Sequence, residues 1–334
     1  AAAAPLLPVL RGHNNILAGQ PATALRGVFA MSAFDLFFQQ LINGIIKGSL
    51  YAMIALGYTM VYGILGIINF AHGEVFMIGA MVAMTMTTIL LKVGLSPILA
   101  LVVAMLAAMV ACMITSFLIE RLAYRPLRHA PKLAPLITAI GMSFILQALA
   151  MLVWGREHFP FPEVLPSDRI NLFGNVGVTM REIIIVVVSF VMMGGLFVLV
   201  NRTKLGRAMR ATAENVNVTA LMGVNPNKVI SATFMIGAAL AAVAGVLFAT
   251  NYGGKVHFYM GFIPGMKAFI AAVLGGIGNI PGALVGGLVL GLVESMGAGY
   301  ISAEYEDVFA FVVLVVVLIF RPSGLLGQRV ADRA

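Results

Sequence analysis

Residues 267–298 read KAFIAAVLGGIGNIPGALVGGLVLGLVESMGA. The run is too long for one simple crossing, because about 30 Å of hydrocarbon takes roughly 20 apolar residues. Glycine crowds its middle, at Gly275, Gly276, Gly278, Gly282, Gly286 and Gly287. Pro281 brings no backbone N–H and disfavours helix at Ile280. The stretch therefore predicts a break over 275–282, with Gly278, Asn279 and Pro281 as candidate broken-helix or path residues, giving either a helical hairpin folded within the membrane or two half-helices. Irregular backbone at that depth is tolerated only where protein or a wet cavity satisfies it. A broken segment thus points to a transport pathway.

The flanking sequence fits the same solvent. Of 334 residues, 61% are hydrophobic and only 10% are charged. An average soluble chain is about 25% charged. This balance excludes a disordered chain, a disulfide scaffold and an ordinary soluble enzyme, and it requires a lipid bilayer around the chain. Phe309 to Phe320 is continuously apolar, without the alternation of a β-barrel strand. The fold class is therefore all-α and polytopic. Its hydrophobic segments lie at 36–66, 70–91, 97–120, 133–154, 182–201, 229–250, 267–298 and 305–320. Residues 1–30 read as a disordered or foreign tail ahead of Met31, and 31–330 as a single transmembrane domain. Cys112, the one cysteine, lies in a span as a small packing residue.

Charge placement orients the chain. Arg121, Arg125, Arg128 and Lys132 lie in one loop, and Arg202, Lys204, Arg207, Arg210 and Lys228 in another. Arg321, Arg329 and Arg333 lie in the C-terminal tail. Basic residues favour the cytoplasmic side, so all three regions, the C-terminus included, are expected there. The net charge of +8 then reports topology, with no nucleic-acid partner implied. The mixed 155–182 loop and the acidic 302–307 stretch fit the opposite side. An even number of crossings must separate the 202–228 loop from the tail, yet three hydrophobic segments lie between them. The 267–298 break resolves that parity.

The early chain carries a second interruption, expected near 57–80. Gly57, Gly63 and Gly66 punctuate the first segment, and YGILGIINFAHGEVFMIGA (62–80) places Asn69, His72 and Glu74 in an apolar run. Two readings stand side by side. Asn69 caps a half-helix and Glu74 bonds backbone N–H groups at a helix start, or these residues line the path.

Enzyme chemistry finds no support. There is no P-loop, no HExxH and no Cys/His ligand spacing. Gly141-Met142-Ser143 lacks the second glycine of a nucleophile elbow and reads as helix-packing residues. No span carries the spaced arginines of a voltage sensor. The 203–225 stretch, TKLGRAMRATAENVNVTALMGVN, has apolar faces interrupted at Asn215 and Asn217 and a left-handed stop at Gly223. It reads either as an interfacial linker or as a peg for another protein's groove.

INFAHGEVFMIGA (68–80), ITAIGMSFILQ (137–147), the AEN…ALMG loop (213–223) and LGGIGNIPGALVGG (274–287) together resemble the LivH-type permeases of branched-chain amino acid ABC importers. The resemblance spans about 31–330. It implies a bacterial inner-membrane subunit with four kinds of neighbour: lipid, a second permease of LivM type, two cytoplasmic ATPases and a periplasmic amino-acid-binding protein. ATP and magnesium would sit on the ATPases, with no cofactor in this chain. Ala213, Glu214, Asn215 and Gly223, within the 202–228 loop, would form the ATPase-coupling loop. Leucine, isoleucine and valine would be the substrates. A urea or short-amide permease is the neighbouring alternative, and a passive small-solute channel is the alternative of another class.

Overall fold

The computed structural model describes residues 32–327, except 129, 132 and 252–254. The expectations for residues 1–30, Lys132, Arg329 and Arg333 lie outside the described residues. Helix α1, Ala33–Leu65, is 33 residues long, or about 50 Å. The Ser32 side chain caps its start, accepting from Asp35 N at 3.0 Å. Gly66, at φ 63°, ends it in the left-handed region. Gly57 and Gly63 do not interrupt this helix, contrary to the sequence expectation. Gly57 serves close packing, since a Cβ there would strike the His72 ring. The interruption is 66–71, and α2, His72–Lys92, starts after it.

The chain continues through α3, Pro97–Ile119, and α4, Leu133–Trp154. Next come β1, Phe159–Pro160, and the hairpin β2, Arg169–Phe173, with β3, Val176–Thr179. α5, Met180–Arg202, is fixed at its start by a capping box of Thr179 and Glu182. The short helices α6, Lys204–Glu214, and α7, Val216–Leu221, lead to α8, Pro226–Asn251. After β4, Lys255–Val256, the hairpin α9, Phe262–Gly275, and α10, Ile280–Tyr300, precedes α11, Glu306–Phe320. Among the described residues seven helices are long and apolar enough to cross a membrane, and α9 is a shorter apolar helix. The protein is a multi-pass, all-helical membrane protein, and the strands among the described residues are short and lie in its connections.

Small residues let the helices approach. Gly44 and Gly48 of α1 meet Gly291, Leu288 and Leu292 of α10, and Gly287 meets Ala52. In lipid, association rests on such close backbone packing rather than on expulsion of water. α1 and α8 are the central helices, each 78% buried over its most apolar window, against 28% for α3, α4 and α5. The outer helices keep an apolar face turned outward, with Leu106, Val110, Ile114 and Leu118 exposed along α3. That pattern belongs to a lipid-facing surface.

The two ends of the bundle differ. The start of α1 meets the 155–182 connection: Gln39 Oε1 accepts from Gly177 N at 3.0 Å, and Phe34 and Phe173 lie 6.2 Å apart. The other end gathers the basic residues. There a π-helical turn, Glu120–Tyr124, follows α3, and buried Glu120 pairs with Arg128 and accepts from Ser231 Oγ at 2.6 Å. Arg128 also donates to Asn227. Part of the basic 121–132 loop thus neutralises a buried acid.

Candidate translocation site

The 276–279 turn is built as its residue types require. Gly276 and Gly278 have φ of 104° and 94°, a region that disfavours side chains. Asn279 caps α10, its Oδ1 accepting from Gly282 N at 3.3 Å, and Pro281 sits in the first turn, where a missing N–H is harmless. Asn279 Nδ2 also donates to Leu326 O at 2.6 Å, and Leu325 N and Leu326 N donate to Leu274 O and Gly275 O. The chain after α11 therefore binds the hairpin turn directly. α9 and α10 run antiparallel in close contact, since a Cβ on Gly286 would strike Ala271 O and one on Gly282 would strike Gly275 O. The 267–298 run is thus two antiparallel helical arms, as the break in the sequence predicted.

The turn lies at the basic end. Gly278, Gly63, Met209, Arg210 and Ala213 line one cavity of about 100 Å³, with Thr233 of α8 behind them. The tertiary fold thus joins two groups of expected site residues that lie far apart in sequence. Asn215 separates α6 from α7 and caps the latter, accepting from Asn217 N and Val218 N at 3.0 Å each. Gly223, at φ 82°, stops the second helix as expected. Glu214 is exposed, as are Leu221 and Met222, at 86% and 78%. Two large apolar side chains this open at the tip of a polar loop suit contact with another protein.

The first interruption holds a separate polar cluster deep in the bundle. Asn69 does not cap α2, whose N-cap is Ala71. Its Oδ1 instead accepts from Tyr124 Oη at 3.0 Å, because the π-helical turn swings Tyr124 inward; its backbone carbonyl accepts from His72 N. Glu74 does not bond backbone N–H groups either. Its Oε1 accepts from Ser143 Oγ at 3.1 Å and Gln147 Nε2 at 2.7 Å, both from α4. Glu74 Oε2 has no hydrogen-bond partner, although the residue is 1% exposed. His72 is buried edge-on against Tyr58, with ring centroids 4.8 Å apart. It lies beside Gly57 and Gly237, near the middle of α8.

A cavity of about 210 Å³ lies against this cluster, lined by Tyr58, Gly73, Glu74, Ser143, Gly261 and Gly265 among others. Gly73 packs on Gly261 and Gly265, where no side chain would fit. The N-termini of α2 and α9 therefore converge on one depth, and 257–261, ahead of α9, is the irregular backbone at that level. Two helices thus begin at one polar cluster inside the bundle, with irregular backbone beside it.

Sequence reasoning missed three parts. Sequence alone presents Ser143 as a packing residue and does not single out Gln147 four positions on; the i, i+4 polar pair on an otherwise apolar span is the available signal. The third is a buried ion cluster. Lys267 of α9, 5% exposed, lies 3.2 Å from Glu294 Oε1 and 2.6 Å from Asp307 Oδ1. Tyr51 Oη donates to Glu294 Oε2 at 2.9 Å, and Lys47 pairs with Glu306 at 2.7 Å. The acidic 302–307 stretch thus supplies counter-charge to a lysine inside the bundle.

Comparison with known proteins agrees with this architecture. The family described as branched-chain amino acid transport system, permease component, matches residues 40–318. The chain is 48% identical to the high-affinity branched-chain amino acid transport system permease protein BraD of Pseudomonas aeruginosa, over 87% of this chain and 96% of that protein. It is 45% identical to the permease protein LivH of Escherichia coli, over 88% of this chain and 97% of that protein. The fructose import permease protein FruF of Bifidobacterium longum is more distant, at 26% identity over 84% of this chain and 77% of that protein. No solved structure matches the chain. With its broken helices, its small-residue packing and a match across most of its length, the chain belongs to the permease family of branched-chain amino acid transport systems.

Proposed function

We propose that this permease carries leucine, isoleucine and valine inward across the bacterial inner membrane, driven by ATP hydrolysis on partner subunits. The observation that carries the reading is the identity of 45–48% with permeases of high-affinity branched-chain amino acid systems over nearly their whole length. A second permease of LivM type would complete the pathway, and a periplasmic binding protein would deliver substrate from the end bearing the 155–182 connection. Two ATPases, with ATP and magnesium, would sit beneath the basic end. Residues 202–228 would then dock in an ATPase groove, with Leu221 and Met222 as apolar contacts.

The cavity lined by Ala213, Met209, Gly63 and Gly278 suggests how motion would reach the pathway. A shift of α6 would press on the end of α1 and on the hairpin turn at once. Packed interfaces switch between discrete arrangements rather than deforming smoothly, so a small push can open or close this end. Vesicles containing the four membrane-associated subunits, supplied with binding protein, should accumulate labelled leucine only with ATP. Leucine entry without ATP or binding protein would overturn the importer reading.

A further inference from the structure

We propose that Glu74 contacts the transported amino acid directly, its free carboxylate oxygen receiving the α-ammonium group during passage. The inference rests on the reading of the chain as an amino-acid permease. Glu74 is 1% exposed and borders the cavity of about 210 Å³. One of its oxygens is held by Ser143 and Gln147, which fixes the carboxylate plane, and the other has no partner and is turned toward Gly261. Burying a carboxylate oxygen without a donor is costly, so such a group marks a place where a donor arrives.

The contrast with the second buried cluster sharpens the point. Glu294 and Asp307 each have Lys267, whereas Glu74 makes no ion pair among the described residues. It sits in the first turn of α2 and close to the start of α9, where helix N-termini suit an acidic group. A cationic donor arriving at this oxygen would supply both the hydrogen bond and the counter-charge that the site lacks among the described residues. The remaining walls define its body: Phe70, Ile140, Phe144, Phe262 and Met266 are apolar. An ammonium group beside a branched hydrocarbon side chain fits both surfaces. Ile140 and Phe144 are exposed on this chain, so the pocket opens between α4 and α9 and leaves the substrate carboxylate on the open side, away from Glu74.

Two measurements on the complete transporter test the contact. In vesicles with binding protein and ATP, the wild-type complex is expected to accumulate leucine. Glu74→Gln is expected to lower leucine delivered per ATP hydrolysed about tenfold, the difference between a charge-assisted and a neutral hydrogen bond, with Glu74→Asp retaining more than the amide. Wild-type uptake with an unchanged Glu74→Gln ratio overturns the contact and leaves the importer reading standing. No wild-type uptake overturns both. The second measurement uses the wild-type complex in nanodiscs without binding protein, read by saturation-transfer NMR. Leucine and isoamylamine should show contact, and 4-methylpentanoate, which lacks the ammonium, should show none. Equal contact by 4-methylpentanoate overturns the proposal even where the variant complex does not assemble.

Discussion

Lys267 and Glu294 face each other at a depth where a lone charge could not stay, and neither was legible as one of a pair in sequence. They lie 27 positions apart, on the two arms of one hairpin, and only the antiparallel return brings them together. Removing one partner of a buried pair leaves an uncompensated charge and costs about 3–5 kcal/mol. Lys267→Met should therefore lower the thermal unfolding midpoint of the detergent-purified protein, and adding Glu294→Gln should recover part of the loss. A Lys267→Met protein as stable as wild type would remove the cluster from the account of stability. Glu74 was legible as an expensive residue in an apolar run, but its bonds were not. Sequence proximity suggested backbone donors, and α4 supplied side-chain donors instead.

The hairpin at 267–298 was the most legible element, because glycine and proline act locally. Positive φ at Gly276 and Gly278 and the N-cap at Asn279 are built from residues within a few positions. What the local reading lacked was the strand of chain after α11 that bonds the turn from outside it. Asn279→Ala removes both the cap and the bond to Leu326 O. It should cost about 1 kcal/mol and expose the C-terminal segment to protease faster than in wild type. The 203–225 loop was legible as helical and as stopping at Gly223, while its division at Asn215 was only hinted by the polar interruption. Glu214→Ala with Gly223→Pro should abolish co-purification of the ATPases while membrane insertion persists, since proline cannot adopt the φ of 82° found there. Unchanged co-purification would remove the coupling role from this loop.

At the scale of the molecule, the start of α1 lies with the 155–182 connection, and the hairpin turn lies with the basic loops and the end of α11. A reporter fused after Arg333 should therefore read cytoplasmic, and one inserted ahead of Ala33 should read periplasmic. Two reporters on the same side would break this topology. The sequence by itself determined the solvent, the helical class and the position of the 276–279 break, and it bracketed the first interruption within 57–80. Those properties follow from composition, hydrophobic run length and backbone preference, which act on a residue and its near neighbours. The tertiary structure alone decided which polar groups meet. Ser143 reaches Glu74, Tyr124 reaches Asn69, and Ala213 shares a cavity with Gly278, because glycine contacts let the helices approach until distant side chains touch. In a medium that offers no water to satisfy a polar group, those long-range meetings determine where charge can rest.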